Sequence, residues 1–309
     1  MPASVHVLGV VALDMLLYVP MIPGRDEKTF ATRTEYQPGG PASFVARTAA
    51  GLGADVMLQT AVGADSEGDK LIAALDAAGI RTDSILRMPK ERTPIALLMI
   101  DSSGERAIVI VPVAEELLLR YGAQSHYDPG GVLVTHLFHP KPVKLAAEKV
   151  RAARGISLLD LEWPEADRWG WEAAMDAARE IDVICTNAQL LNARFGNATL
   201  DAARSFASEL AAGRMAACVT LGAEGVVIAA EGQVVHYPAL RLKAGNTTGA
   251  GDTFIATLAM ALADGRRPTH AAALANCAAG WFLMGRRIDL NALEAAVAES
   301  APADQTRVN

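Results

Sequence analysis

Ala244-Gly245-Asn246-Thr247-Thr248-Gly249-Ala250-Gly251-Asp252-Thr253-Phe254 sets two glycines one residue apart, a carboxylate directly after them and an apolar run behind. Phe254, Ile255, Leu258, Ala261 and Leu262 recur at helical spacing, which predicts a helix beginning near Asp252. The amides of such a start point outward without intrahelical partners, and the helix dipole adds positive potential. Glycines let that backbone approach a ligand closely, so the turn suits a phosphate group. Asp252 then lies beside a bound anion, a place that repels a carboxylate unless the acid has a task. Removing the proton of an attacking hydroxyl is such a task. A glycine-rich turn with an aspartate cap has the same letters over a few residues. Over so few residues the two readings stay open.

Outward from this turn, strands and helices alternate. Val5 to Val11 reads as a buried strand, followed by Asp14 at the end where open α/β sheets bind ligands. Ser43 to Leu52, Gly68 to Ala78, Val143 to Ala153 and Leu200 to Ala212 read as helices. Val56–Val62, Val132–Leu137, Ile156–Leu161, Val183–Thr186 and Ala217–Leu221 read as strands, with a Val226–Ala230/Val234–Tyr237 hairpin. Such alternation predicts a three-layer α/β/α domain with a mostly parallel sheet. Thr29–Tyr36, Thr93–Ile100 and Arg106–Val111, the last two joined by Asp101-Ser102-Ser103-Gly104-Glu105, predict a separate small β sheet. The expectation is one domain over 1–309, with a lid formed by about 15–38 and 92–112.

A chain of 309 residues, half of them hydrophobic and few aromatic, has the composition of a globular enzyme. The net charge of −7 and the lack of a basic run argue against nucleic acid as a partner. Cys185, Cys218 and Cys277 are odd in number and widely spaced, as expected of reduced thiols in a cytoplasmic protein. The N-terminal residues predict no signal peptide, and no apolar run reaches membrane-spanning length. There is no G-x-x-x-x-G-K-[ST], which excludes a P-loop kinase. Gly51-Leu52-Gly53-Ala54-Asp55-Val56 lacks the third glycine of a dinucleotide fingerprint and precedes a strand rather than a helix.

The 244–254 segment resembles the C-terminal signature D-T-x-G-A-G-D of the ribokinase-like (PfkB) family of carbohydrate and nucleoside kinases. The resemblance implies that Asp252 is the catalytic base and that Gly249, Ala250 and Gly251 form an anion hole for the transferred phosphoryl group. It also implies ATP and Mg²⁺, with K⁺ beside the anion hole as in many relatives, and a homodimer formed through the lid. Gly39-Gly40-Pro41-Ala42-Ser43-Phe44 resembles the N-terminal signature, in which the glycine pair approaches the acceptor and an asparagine binds a sugar hydroxyl. Phe44 stands where that asparagine is expected, and a phenyl ring offers a stacking wall instead of hydrogen bonds. Asp14 is expected to orient the acceptor through two hydroxyls, and Arg106 to reach an acidic or phosphorylated substrate from the lid.

On the nucleotide side, Thr220-Leu221-Gly222-Ala223-Glu224-Gly225 resembles the T-x-G-x-x-G segment beside the phosphates and ribose, with Thr248 close to them. The resemblance puts Asn276 at the family's adenine pocket, with an alanine-rich packing helix over Ala271–Ala279 as the alternative reading. Asn187 matches the first letter of N-x-x-E, but Leu190 stands at the glutamate that organises magnesium, and leucine cannot bind a hard cation. Either Gln189 or an acid elsewhere takes that role, or metal handling is weakened. Asp160 and Glu162 are alternatives for polar contact near the sheet edge, and no metal ligand is assigned. Asn246 replaces the signature's first aspartate. His136 and His139, sharing a strand end, make a poor metal site without further ligands, and Trp163, Trp169 and Trp171 are expected to pack. The sequence thus predicts a kinase that phosphorylates a hydroxyl of a small sugar or sugar-like acceptor. A nucleoside kinase of the same fold, or a catalytically weak nucleotide- or sugar-binding regulator, are the alternatives.

Overall fold

The computed structural model describes residues 3–111, 113–242 and 249–299, and the backbone of 304–307. The chain opens with β1 (Ser4–Leu8), β2 (Ala12–Tyr18), β3 (Arg33–Gly39), α1 (Pro41–Gly51), β4 (Asp55–Gly63), α2 (Ser66–Ala77) and β5 (Ile85–Met88). The hairpin β6 (Ile95–Ile100) and β7 (Arg106–Ile110) follows, then α3 (Glu115–Leu118), β8 (Val132–His136), α4 (Pro140–Ala152) and β9 (Ile156–Asp160). Next come α5 (Trp163–Trp169), α6 (Trp171–Ala177), β10 (Val183–Asn187), α7 (Ala188–Phe195), α8 (Leu200–Ala211) and β11 (Ala216–Thr220). The chain continues with β12 (Val226–Ala230), β13 (Gln233–Tyr237), α9 (Ala250–Ala263), α10 (Pro268–Leu283), α11 (Leu290–Ala298) and β14 (Asp304–Arg307).

Ten strands form the large sheet in the order β14-β13-β12-β11-β10-β9-β8-β1-β4-β5. From β11 to β5 they run parallel, and from β11 to β14 each neighbour is antiparallel. The central strands read as near-continuous apolar runs because both faces are covered. Alternation along them divides the core in two. Val5, Val7, Val132, Val134 and Leu158 pack with residues of α1, α9 and α10, whereas Leu8, Leu133, Leu159 and Ile184 pack with residues of α4 and α8.

Val5 to Val11, expected as one strand, is broken after Leu8. A Cβ on Gly9 would stand 2.4 Å from His136 Cε1, so the backbone passes close over that ring as it leaves the large sheet. It re-enters at Ala12 as β2 of a four-stranded sheet ordered β3-β2-β6-β7. Asp14 therefore lies within a strand of the small sheet, opposite Gln37, rather than in a loop after β1. The turn between β6 and β7 forms as expected, with Asp101 Oδ1 accepting from the Ser103 and Glu105 amides. Ile85–Met88, too short for its alternation to register, adds β5 to the sheet edge beside β4.

Candidate functional site

The carboxyl ends of the parallel strands and the start of α9 converge on one region. Gly249, at φ 88°, turns the chain into α9, and no side chain caps the helix. Thr253 donates its amide and its hydroxyl to the Gly249 carbonyl, which ties the turn to the helix it precedes. The amides of Ala250 and Gly251 precede the first intrahelical bond and remain available to an anion. A Cβ at Gly249 would press on Phe282, whereas Gly251 faces open space. Thr248 and Asn246 lie outside the described residues.

The Asp252 carboxyl lines a small cavity with His136, Asp160, Thr135, Pro41 and Ala42. Burial lifts its pKa to about 6, Glu162 pushes the same way, and a bond from its own amide opposes them. Asp160 and His136 reach this cavity because β8 and β9 pair His136 with Asp160, and two-residue alternation sends both toward α1 and α9. Asp160 is only partly shielded from solvent but is densely surrounded by protein. Burial raises its carboxyl well above the ordinary range, reinforced by Glu162, Asp252 and Glu165. Four carboxyl groups thus crowd one strand end.

Before α1, Asp14 is buried and its carboxylate lies on Gly39: a Cβ there would fall 1.9 Å from Asp14 Oδ1. Gly40, at φ 83°, leads into α1 and passes the Val10 carbonyl at a distance no side chain tolerates. The glycine pair is what lets Asp14 and the first turn of α1 share one space. Burial raises Asp14 to about 6, and the Arg47 guanidinium opposes that rise. Arg47, missed in the sequence, sits one turn along α1 from Phe44. It donates to the Pro38 carbonyl at 3.3 Å. Phe44 is half-buried and belongs to neither core cluster. Arg106 is not brought to this group: pairing puts Asp14 across from Ala96 and Ile110, with Arg106 four residues further along β7, roughly 13 Å along the strand.

On the opposite side, Thr220 ends β11 and donates to the Thr186 carbonyl at 3.2 Å. Gly222 opens a short 3₁₀ turn, and Gly225, at φ 90° and ψ −135°, closes it where a Cβ would meet the Tyr237 carbonyl at 2.0 Å. Asn276 on α10 donates to the Pro238 carbonyl at 2.9 Å, so its amide anchors the segment after β13. Asn187 caps α7 by accepting from the Leu190 amide at 3.0 Å and donates to Glu162 at 3.2 Å. Leu190 is fully buried and Gln189 is exposed on the helix.

Among the described residues no three His, Cys, Asp or Glu side chains are grouped to hold a metal by themselves. His139 caps α4 by accepting from the Lys141 amide through Nδ1, and its Nε2 lies 3.6 Å from Glu115. Magnesium commonly takes one or two carboxylates and completes its shell with water and phosphate oxygens. Glu162, held by Asn187 and close enough to Asp252 to raise its pKa, fits that mode. Trp171 packs on Phe206 beneath the Arg194 guanidinium, as expected of a packing tryptophan.

A carboxyl group beside an uncapped helix start, set at the edge of a parallel sheet without a P-loop, is an arrangement suited to an α/β phosphotransferase. The pfkB family carbohydrate kinase model matches residues 3–285, and the chain belongs to that family. It is 29% identical over 302 residues to the bifunctional protein HldE of Caulobacter sp. (strain K31), covering 90% of this chain and 59% of HldE. It is 28% identical over 262 residues to the deoxyribokinase of Salmonella typhi, covering 83% and 84% of the two chains. The chain therefore spans somewhat over half the length of the HldE relatives and most of the deoxyribokinase. Its fold matches that of Arabidopsis thaliana ribokinase complexed with ribose and ATP, with a TM-score of 0.73, 20% identity and coverage of 97% and 99%. The fold is ribokinase-like.

Proposed function

We propose that this chain transfers the γ-phosphoryl group of ATP to a hydroxyl of a small sugar or sugar-like acceptor. One observation carries the reading: a carboxyl group at the mouth of α9 stands beside amides that no side chain caps. Asp14 and the Gly39-Gly40 backbone orient the acceptor, and Asp252 takes the proton of the attacking hydroxyl. The amides of Gly249, Ala250 and Gly251 stabilise the charge developing on the transferred group, each such donor being worth about 3 kcal/mol. Thr220, Gly222 and Gly225 flank the nucleotide's phosphates and ribose, and Asn276 with the segment it anchors borders the base. Glu162, steadied by Asn187, holds Mg²⁺ through water in place of the glutamate that Leu190 supplants. The ion, when bound, neutralises charge on the nucleotide phosphates. The deoxyribokinase relative and the ribose- and ATP-bound neighbour support this choice of substrates. K⁺ next to the anion hole, held by main-chain carbonyls, belongs to the same reading.

The small sheet acts as a lid over the acceptor and excludes water during transfer. Ile108, Val109 and Ile110 on β7 are each about half or more exposed, and a contiguous apolar strand of this kind favours pairing with a second copy. We place the enzyme in the cytoplasm: its three cysteines are unpaired and buried, and no helix among the described residues is long and apolar enough to cross a membrane. Phe44, half-buried and outside both cores, favours a second reading in which the acceptor carries a base that stacks on the ring.

A coupled assay of ADP release tests the activity with D-ribose, 2-deoxy-D-ribose, D-fructose 6-phosphate and adenosine as acceptors. Release that depends on one acceptor and yields its phosphorylated product is expected. Release independent of every acceptor would contradict the reading.

A further inference from the structure

His136 ends β8 with its side chain 8% exposed, and its ring nitrogens have no hydrogen-bond or ion-pair partner among the described residues. The ring meets Phe138 edge-on at 5.5 Å, a contact that fixes its tilt and leaves the nitrogens unused. Space for the imidazole is built in. Any side chain at Gly9 would collide with it, its nearest atoms being 2.4 and 2.6 Å from a Cβ placed there. The ring borders the cavity that Asp252 and Asp160 also line, between the first turn of α1 and α9. That cavity, of about 10 Å³, has room for one water-sized group.

A polar side chain this buried normally finds a partner, and the ring nitrogens keep some access to solvent instead of being sealed in protein. Among the described residues no lysine or arginine lines this space and Asp160 and Asp252 do, which disfavours a phosphate or carboxylate there. Burial alone lowers His136 to about 4, so the ring is neutral at physiological pH and offers one donor and one acceptor. A hydroxyl, itself donor and acceptor, matches that offer.

We propose that His136 is a specificity-determining residue of the acceptor site, binding an uncharged hydroxyl that neighbours the one Asp252 deprotonates. The inference rests on the kinase reading above and adds a substrate class to it. The acceptor enters this floor with a hydroxyl-bearing carbon, and any anionic group it carries lies at its other end.

The test compares wild type, His136→Gln and His136→Phe on the same four acceptors, with KM measured for both ATP and acceptor. Glutamine keeps a donor and an acceptor near the ring's outer nitrogen, whereas phenylalanine keeps only the shape. The expected result is a rise of about tenfold or more in acceptor KM for His136→Phe, the scale of one lost hydrogen bond. ATP KM should be unchanged, His136→Gln should stay near wild type, and both variants should keep the thermal shift given by a non-hydrolysable ATP analogue. An unchanged acceptor KM in His136→Phe would overturn the inference alone. So would a parallel loss of ATP and acceptor binding, which marks a packing role. Wild type that turns over none of the four acceptors would overturn the kinase reading, and this inference with it.

Discussion

Asp252 is placed where chemistry and stability pull in opposite directions. Its carboxyl must be ionised to take a proton, yet burial and Glu162 lift its pKa from 3.8 to about 6. A group with a raised folded pKa binds its proton more tightly in the folded protein. Its contribution to stability is therefore present below the unfolded value and is lost as pH rises through about 6. At pH 8 the ionised group costs on the order of 1–2 kcal/mol after discounting for partial exposure. Asp252→Asn should accordingly raise the melting temperature at pH 8 and give no such gain at pH 4, as scanning calorimetry at the two pH values would read. The acid limb of kcat/KM should rise with pH through about 6, since Asp14, lifted to the same value by burial, must ionise as well.

Within single elements, two substitutions separate backbone demands from chemistry. Gly225 adopts a conformation essentially reserved for glycine and faces the Tyr237 carbonyl. Gly225→Ala should destabilise the fold by about 1–3 kcal/mol, measured by urea denaturation, by displacing the β12–β13 hairpin. Leu190→Glu restores a family letter but buries an acid in a core position of 0% exposure. It should lower stability by several kcal/mol, with no gain in Mg²⁺ affinity by isothermal titration.

The same elements explain what could be read in advance. The α9 turn was legible because glycine, acid and apolar spacing are all local, and the β6–β7 turn was legible for the same reason. The break after Leu8 was not, because Val5 to Val11 is a mostly apolar, strand-like run and the close approach at Gly9 is to His136, 127 residues away. Arg47 beside Asp14 was invisible too, since their meeting depends on two sheets and a helix coming together. His136 was visible only as half of an unconvincing metal pair. Its register with Asp160 and the space left by Gly9 exist only in the folded chain.

For the whole molecule, the exposed β7 face predicts a dimer. Light scattering should report twice the 32.5 kDa chain mass for wild type and the single mass for Ile110→Lys, which puts a charge on the most exposed apolar residue of β7. The two halves of the proposed site, Asp14 with α1 and Asp252 with α9, come from opposite ends of the chain and meet where α1 packs directly against α9 over the large sheet. The central claim is that this junction brings an ionised Asp252 to an acceptor hydroxyl. Its most direct test is a single-turnover measurement of phosphoryl transfer from γ-³²P-labelled ATP to whichever acceptor supports ADP release, comparing wild type with Asp252→Asn. The account predicts a rate constant reduced by about 10³-fold or more, with the nucleotide still bound. Transfer by Asp252→Asn at the wild-type rate would contradict it.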